Sequence, residues 1–398
     1  MDLERELFSL LVIAGISAVV PFILGLTRIR VAGAVLLIAF GILVGPQVLG
    51  WVQVDAAISL LADLGLGMLF FLAGLELEGK VLRGTSGKLA VSGWLASLAL
   101  AVLLVGVLVW TGLVVDFLAV AIALTSTALG TLLPQLRDSG TLQTPLGRFF
   151  MAAGAIGEFG PLIAIAVLLG TQNSFVALST LLIFGLIAVL LAAIPRRFMN
   201  ERVTQLIESG HRSSSQTGIR LAMLLLIALL ATADVFGFDV VLGAFIAGII
   251  VRRYVPRSDE SAVEMRIEAI AFGFFIPLFF VVSGARLDVR SIVDNPLPML
   301  IFFLLLAVVR GLPQFVLYRS AIPDPWQRGR FAALVATGLP IIVAVTTIQV
   351  NLGLMTEESA AAMVGAGALS VLVFPAFAQW CDRKSPSGSS TPSATSAG

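Results

Sequence analysis

Long apolar runs follow one another along almost the whole chain, and no other property limits its fold so severely. A bilayer core about 30 Å thick asks for roughly 20 apolar residues per helix. Thirteen candidate segments stand at residues 8–25, 32–50, 56–76, 88–110, 113–135, 147–170, 175–195, 218–235, 238–252, 266–285, 296–318, 329–350 and 359–380. In hydrocarbon each backbone N–H and C=O must find a partner inside the protein, which makes helices the fold of such runs. The sequence therefore predicts an all-α polytopic membrane protein over residues 1–384, with 58% hydrophobic and 12% charged residues and a mean hydropathy of +1.03. Residues 385–398, rich in Ser, Pro, Thr and Gly, cannot bury a core and read as a disordered cytoplasmic tail.

The few charges give the orientation. Counted along the twelve connecting segments, Lys and Arg number 2, 0, 3, 0, 2, 0, 5, 0, 4, 2, 3 and 0, with Arg383 and Lys384 after the last span. Basic loops stay in the cytoplasm, so the alternation puts the N-terminus outside and the C-terminus inside. Arg286 and Arg290 fall on the other side, where Asp288 and Asp294 offset them. Met1–Glu6 has acids and no basic leader, so the first span reads as retained.

Whole classes of function drop out. Cys381 and His211 are the sole cysteine and histidine, which argues against a zinc site, a disulfide framework or a Cys–His nucleophile. His211 sits in the polar connector 195–218 and reads as solvated. The net charge of +1, with no basic tract carrying interleaved aromatics, gives no footprint for nucleic acid. No cofactor is expected.

The chain also resembles itself. Phe70-Phe71-Leu72-Ala73-Gly74-Leu75-Glu76 ends span three and Phe279-Phe280-Val281-Val282-Ser283-Gly284-Ala285 ends span ten, 209–210 residues later. Ala39-Phe40-Gly41-Ile42 matches Ile246-Ala247-Gly248-Ile249 at a similar offset, and Thr125 pairs with Thr337 at 212. Halves at about 8–170 and 218–380, joined by a linker helix at 175–195, would have opposite membrane orientation. Inverted six-helix repeats of this kind underlie many secondary transporters.

Two spans at equivalent positions carry helix breakers. Span five holds Thr125-Ser126-Thr127 with Gly130 and Pro134 beyond, and span twelve holds Thr337-Gly338-Leu339-Pro340. Pro340 has no N–H for the carbonyl of Ala336, and glycine is costly inside a helix, so both spans should be interrupted. Paired broken helices point to a transporter's binding site, because half-helix ends present bare carbonyls and N–H groups.

One acid lies deeper in apolar sequence than any other. Glu158, in the run 146–170, costs at least about 2.5–3.5 kcal/mol at a bilayer centre, so such residues mark ion or proton paths. Pro161 cannot donate to the carbonyl of Gly157, which is left free beside that carboxylate. With Thr125, Ser126 and Thr127 this predicts an all-oxygen site for a small hard cation. Arg310, inside span eleven, is permanently charged and fits a counter-charge, for Glu158 or for the carbonyl ends of the broken helices. Asp63, near the outer end of span three, is a secondary candidate read chiefly as structural.

These residues resemble the monovalent cation/proton antiporter superfamily, in particular the sodium/proton exchangers and the glutathione-gated potassium efflux branch. The shared pieces are Gly74-Leu75-Glu76, Thr125-Ser126-Thr127, Glu158, the run from Pro277 to Gly284 and Arg310, within a match from about Leu10 to Gln379. The resemblance implies a homodimer in the plasma membrane, a dimerisation bundle, a mobile core with crossed broken helices, and elevator-like exchange of Na⁺ or K⁺ for H⁺. It departs at Gly157-Glu158, where the family usually has Asp-Asp, Asn-Asp or Gln-Asp. A nucleotide-binding domain like that of the efflux branch is not expected. One titrating carboxylate beside a fixed positive charge gives one-for-one, electroneutral exchange as the simplest scheme. A proton- or sodium-coupled carrier of a small organic anion, and a transport-inactive membrane sensor or assembly partner, are the alternatives; an enzyme is not expected.

Overall fold

The computed structural model describes residues 2–27, 33–76, 84–168 other than 113, 115, 130, 131, 133–135 and 137–139, and residues 186, 216–235, 240–254 and 260–385. In chain order the helices are α1 (Asp2–Thr27), α2 (Gly33–Val44), α3 (Ala56–Glu76), α4 (Gly84–Trp110), α5 (Phe117–Ala123), α6 (Pro145–Leu168), α7 (Thr217–Val235) and α8 (Val240–Tyr254). Then come α9 (Glu260–Ile270), α10 (Ile276–Arg286), α11 (Val289–Asp294), α12 (Leu297–Leu305), α13 (Leu312–Leu317), α14 (Pro325–Ala336), α15 (Leu339–Asn351) and α16 (Glu357–Lys384). Twelve of the thirteen expected spans carry helix, and the described residues include no strand. The seventh, 175–195 apart from Leu186, lies outside the described residues, as do His211, Gly130, Pro134 and the tail beyond Ser385.

Helix ends depart from the apolar runs for identifiable reasons. Hydropathy marks only the lipid-facing part, so α9 begins at Glu260, ahead of the expected 266, with Glu264, Arg266 and Glu268 in its polar portion. Caps set other starts: Asp324 accepts from Trp326 N–H ahead of Pro325, and Thr356 accepts from Ser359 N–H ahead of Glu357 and Glu358. Two helices widen into π turns, Ala271–Phe275 and Leu306–Gly311. Each precedes a proline, Pro277 and Pro313, which cannot donate to the carbonyl four residues back.

The chain divides into two compact units, residues 1–78 with 162–287 and residues 79–161 with 288–398. In the first, α2 packs on α10 and α3 on α8 with backbones touching. A Cβ built on Gly41 would lie 2.1 Å from the carbonyl oxygen of Val281, and one on Gly284 would lie 2.2 Å from that of Ile38. At the other crossing, Gly248 faces Phe71 O at 2.1 Å and Gly74 faces Phe245 O at 2.2 Å. Gly248 follows Gly41, and Phe245 follows Ile38, by 207 residues; Val281 follows Phe71, and Gly284 follows Gly74, by 210. One crossing is thus made twice, the pairing that an internal repeat requires. On α1, Leu11, Phe22 and Leu26 are 68%, 72% and 83% exposed, as suits a helix whose surroundings are lipid.

The second unit is centred on α14 and α15. Of the most apolar stretch within Pro325–Asn351, 94% is buried, and Phe331, Val335 and Ile342 are sealed completely. Around the pair stand α4, α5, α6, α12, α13 and α16, with Phe150, Phe302 and Tyr318 fully buried between them.

Candidate functional site

Both expected breaks are present, and they cross. The chain leaves α5 after Ala123 and runs non-helically through Ser126–Ala128. α14 stops at Ala336, Thr337 is extended at φ −75°, ψ 122°, and Gly338 starts α15 with Pro340 in its first turn. At the crossing Ala128 N–H donates to Thr337 O at 2.6 Å, and the Thr127 hydroxyl donates to Val335 O at 2.7 Å. The room is tight, since a Cβ on Gly338 would stand 2.9 Å from Ser126 Oγ.

α6 lies against this crossing. Glu158 is 4% exposed, and its Oε1 accepts from Leu129 N–H at 2.9 Å. The carbonyl of Gly157, expected to stand free for a cation, instead accepts from Thr127 N–H at 3.0 Å. Pro161 does release that oxygen; a neighbouring backbone donor, itself orphaned by the break after α5, takes it up. The interruption of one helix and the proline of another satisfy each other.

Arg310, in the π turn between α12 and α13, is 0% exposed. Its Nε donates to Thr127 Oγ1 and its Nη2 to Ala153 O, each at 2.9 Å, and Nη1 has no hydrogen-bond partner among the described residues. Through Thr127 the guanidinium is linked to the carbonyl end of α14. Thr125 donates back to Ile122 O at 2.7 Å, and its oxygen retains lone pairs. Ser126 Oγ is buried with no partner among the described residues.

Asp63 belongs to the other unit. It is exposed on α3, one turn past Ser59, whose hydroxyl accepts from Arg286 at 2.6 Å. Some participants were not foreseen. Ala153 O, Val335 O and Leu129 N–H are main-chain groups that side-chain chemistry does not reveal. Gln314, fully buried four residues after Arg310 in the same apolar run, carries the same signal of a polar residue at membrane depth, but it faces Gly93 of α4 and its side chain bonds to none of the described groups at the crossing.

The assembled groups can hold a small hard cation or a proton on one carboxylate, with hydroxyl oxygens at hand and a fixed positive charge beside them. No three His, Cys, Asp or Glu side chains converge among the described residues. A buried carboxylate and guanidinium at two crossed, interrupted helices define a polytopic membrane transporter of the broken-helix class. A model of the family described as "Sodium/hydrogen exchanger, transmembrane" matches residues 13–380, and the chain belongs to that family. It is 25% identical over 383 residues to Probable Na(+)/H(+) antiporter 3 of Methanocaldococcus jannaschii, covering 94% of this chain and 96% of the relative. It is 26% identical over 391 residues to the glutathione-regulated potassium-efflux system protein KefC of Escherichia coli, covering 94% of this chain and 60% of KefC. It spans about three-fifths of the length of several curated relatives. The structure of the sodium proton antiporter MjNhaP1 from M. jannaschii at pH 8 shares the fold, with a TM-score of 0.64 at 17% identity over 96% of this chain and 97% of that one.

Proposed function

We propose that the protein is a secondary antiporter exchanging Na⁺ or K⁺ for H⁺ by alternating access, with Glu158 holding either cargo in turn. The observation that carries this reading is the buried Glu158 carboxylate at the crossing of two interrupted helices. Competition for one carboxylate couples the two fluxes, and with Arg310 permanently charged the exchange is one for one and electroneutral. The ligands of the cation are the Glu158 carboxylate, Ser126 Oγ and Thr125 Oγ1. Thr127, the Gly157 carbonyl, Thr337, Gly338 and Pro340 build the crossing, and Asp63 is structural.

The same reading places thirteen spans in the plasma membrane, with the N-terminus outside, the C-terminus inside, inverted repeats at about 8–170 and 218–380, and a homodimer as the working unit. An organic-anion carrier is less well supported, since Arg310 is fully buried and two of its five N–H groups already hold Thr127 and Ala153 O inside the protein. Proteoliposomes carrying a pH dye test the proposal. Na⁺ or K⁺ should drive proton movement in the parent and not in Glu158→Gln, and retained exchange in that variant would move the site elsewhere. Strong drive by an imposed potential at zero pH gradient would refute the one-for-one scheme.

A further inference from the structure

The position before Glu158 has no side chain, and a charged group fills the space. A Cβ built on Gly157 would lie 2.4 Å from Arg310 Nη2, 2.4 Å from Thr127 Oγ1 and 2.7 Å from Thr127 Cβ. None of these neighbours can swing aside. Arg310 is fully buried and pinned through Nε and Nη2. Thr127 is pinned at both ends, its N–H on Gly157 O and its hydroxyl on Val335 O. The other three α6 glycines differ in kind: Gly147 faces the backbone of Thr141 and Leu142, Gly154 the flexible Leu129 side chain and Gly160 the Trp94 ring.

We infer that Gly157 is a positioning residue whose bare Cα is the seat of the Arg310 guanidinium, so that the residue preceding Glu158 holds that buried cation against the crossing by leaving room for it. For transport the inference rests on the reading of Glu158 given above. The seat fixes what the site contains. A side chain at 157 would evict the guanidinium from its place against Thr127 and Ala153 O; with glycine there, α6 offers a single side-chain ligand and a permanent positive charge is held at the crossing. A guanidinium donates hydrogen bonds and accepts none, so it cannot stand in as a cation ligand. It orients instead, holding Thr127 and through it the crossing of the two interrupted segments.

A cycle of variants tests this, with each purified in detergent for melting and reconstituted for flux. Gly157→Ala should lower the maximal exchange rate at least about tenfold and lower the melting temperature. Arg310→Lys, which keeps the charge but lacks Nη2, should lower both on its own because it leaves the seat empty. Combined, Gly157→Ala with Arg310→Lys should exceed Gly157→Ala alone in rate and in melting temperature, since the methyl then enters the space that Nη2 vacated. Two independent defects would make the double variant worse than either single one, and that result overturns the inference. So does a Gly157→Ala protein with the parent rate and melting temperature in a preparation where Glu158→Gln is inactive. Should Glu158→Gln still exchange, the proposed function fails, and the melting temperatures of the cycle still decide the seat.

Discussion

Replacing Gly248 by alanine adds one methyl group where two helix backbones touch. The new Cβ would lie 2.1 Å from Phe71 O and 2.9 Å from Gly74 Cα. An unstrained carbon–oxygen contact needs about 3.3 Å, so α3 and α8 must part by roughly 1 Å. The obstructing atoms are main chain and no rotamer change relieves them. Overpacking of this kind costs about 1–3 kcal/mol, and close backbone approach is a large part of what holds membrane helices together. Gly41→Ala, whose Cβ would meet Val281 O at the same 2.1 Å, should cost a similar amount at the other crossing. The two crossings share no residue, so the double variant should sum the single losses to within about 0.5 kcal/mol. Gly74→Ala with Gly248→Ala should cost less than the sum, because the second methyl enters a gap already opened by the first. Reversible unfolding in mixed micelles measures all four variants. If Gly248→Ala unfolds with the parent, or if Gly41 and Gly248 together cost no more than either alone, the backbone contact is not what joins these helices.

Thr127→Val keeps the shape and removes the hydroxyl that both receives Arg310 Nε and donates to Val335 O. It should destabilise by about 1–3 kcal/mol and abolish exchange, whereas Thr127→Ser should retain most of both; equal unfolding free energies for the parent and the valine variant would refute the bridging role. Just before α14, a hydrogen bond from Ser385, then those from the Trp326 and Gln327 backbone and the charge of Arg328, hold the Asp324 carboxyl below the usual carboxylate range despite some opposing desolvation. A depressed carboxyl stabilises above its unfolded value, near pH 4, and loses that contribution as pH falls through its folded value. Asp324→Asn should therefore melt below the parent at pH 7, with the gap closing as the pH drops below about 4, and a pH-independent gap would assign the effect to shape alone.

Much of this architecture can be read from the chain because bilayer physics is strict. Long apolar runs located twelve helices, and Thr337-Gly338-Pro340 located an interruption, since in both cases a single backbone rule decides the outcome. Glu158 and Arg310 stood out by the cost of a charge in hydrocarbon. What escaped was pairing. The oxygen released by Pro161 was foreseen, but its partner, Thr127 N–H, depends on where the segment after α5 lies. That Gly157 faces a guanidinium could not be read from spacing, because Arg310 is 153 residues further along the chain. The two π turns shift the register of everything after them within their helices, so simple helical periodicity fails there as well.

The bond from Ala128 N–H to Thr337 O closes the crossing through main chain alone. Substituting either side chain leaves donor and acceptor in place, so point mutation can loosen this joint only indirectly. The two interrupted helices are thereby tied by groups that every residue but proline carries, and this one bond survives whatever other side chains stand at 128 and 337.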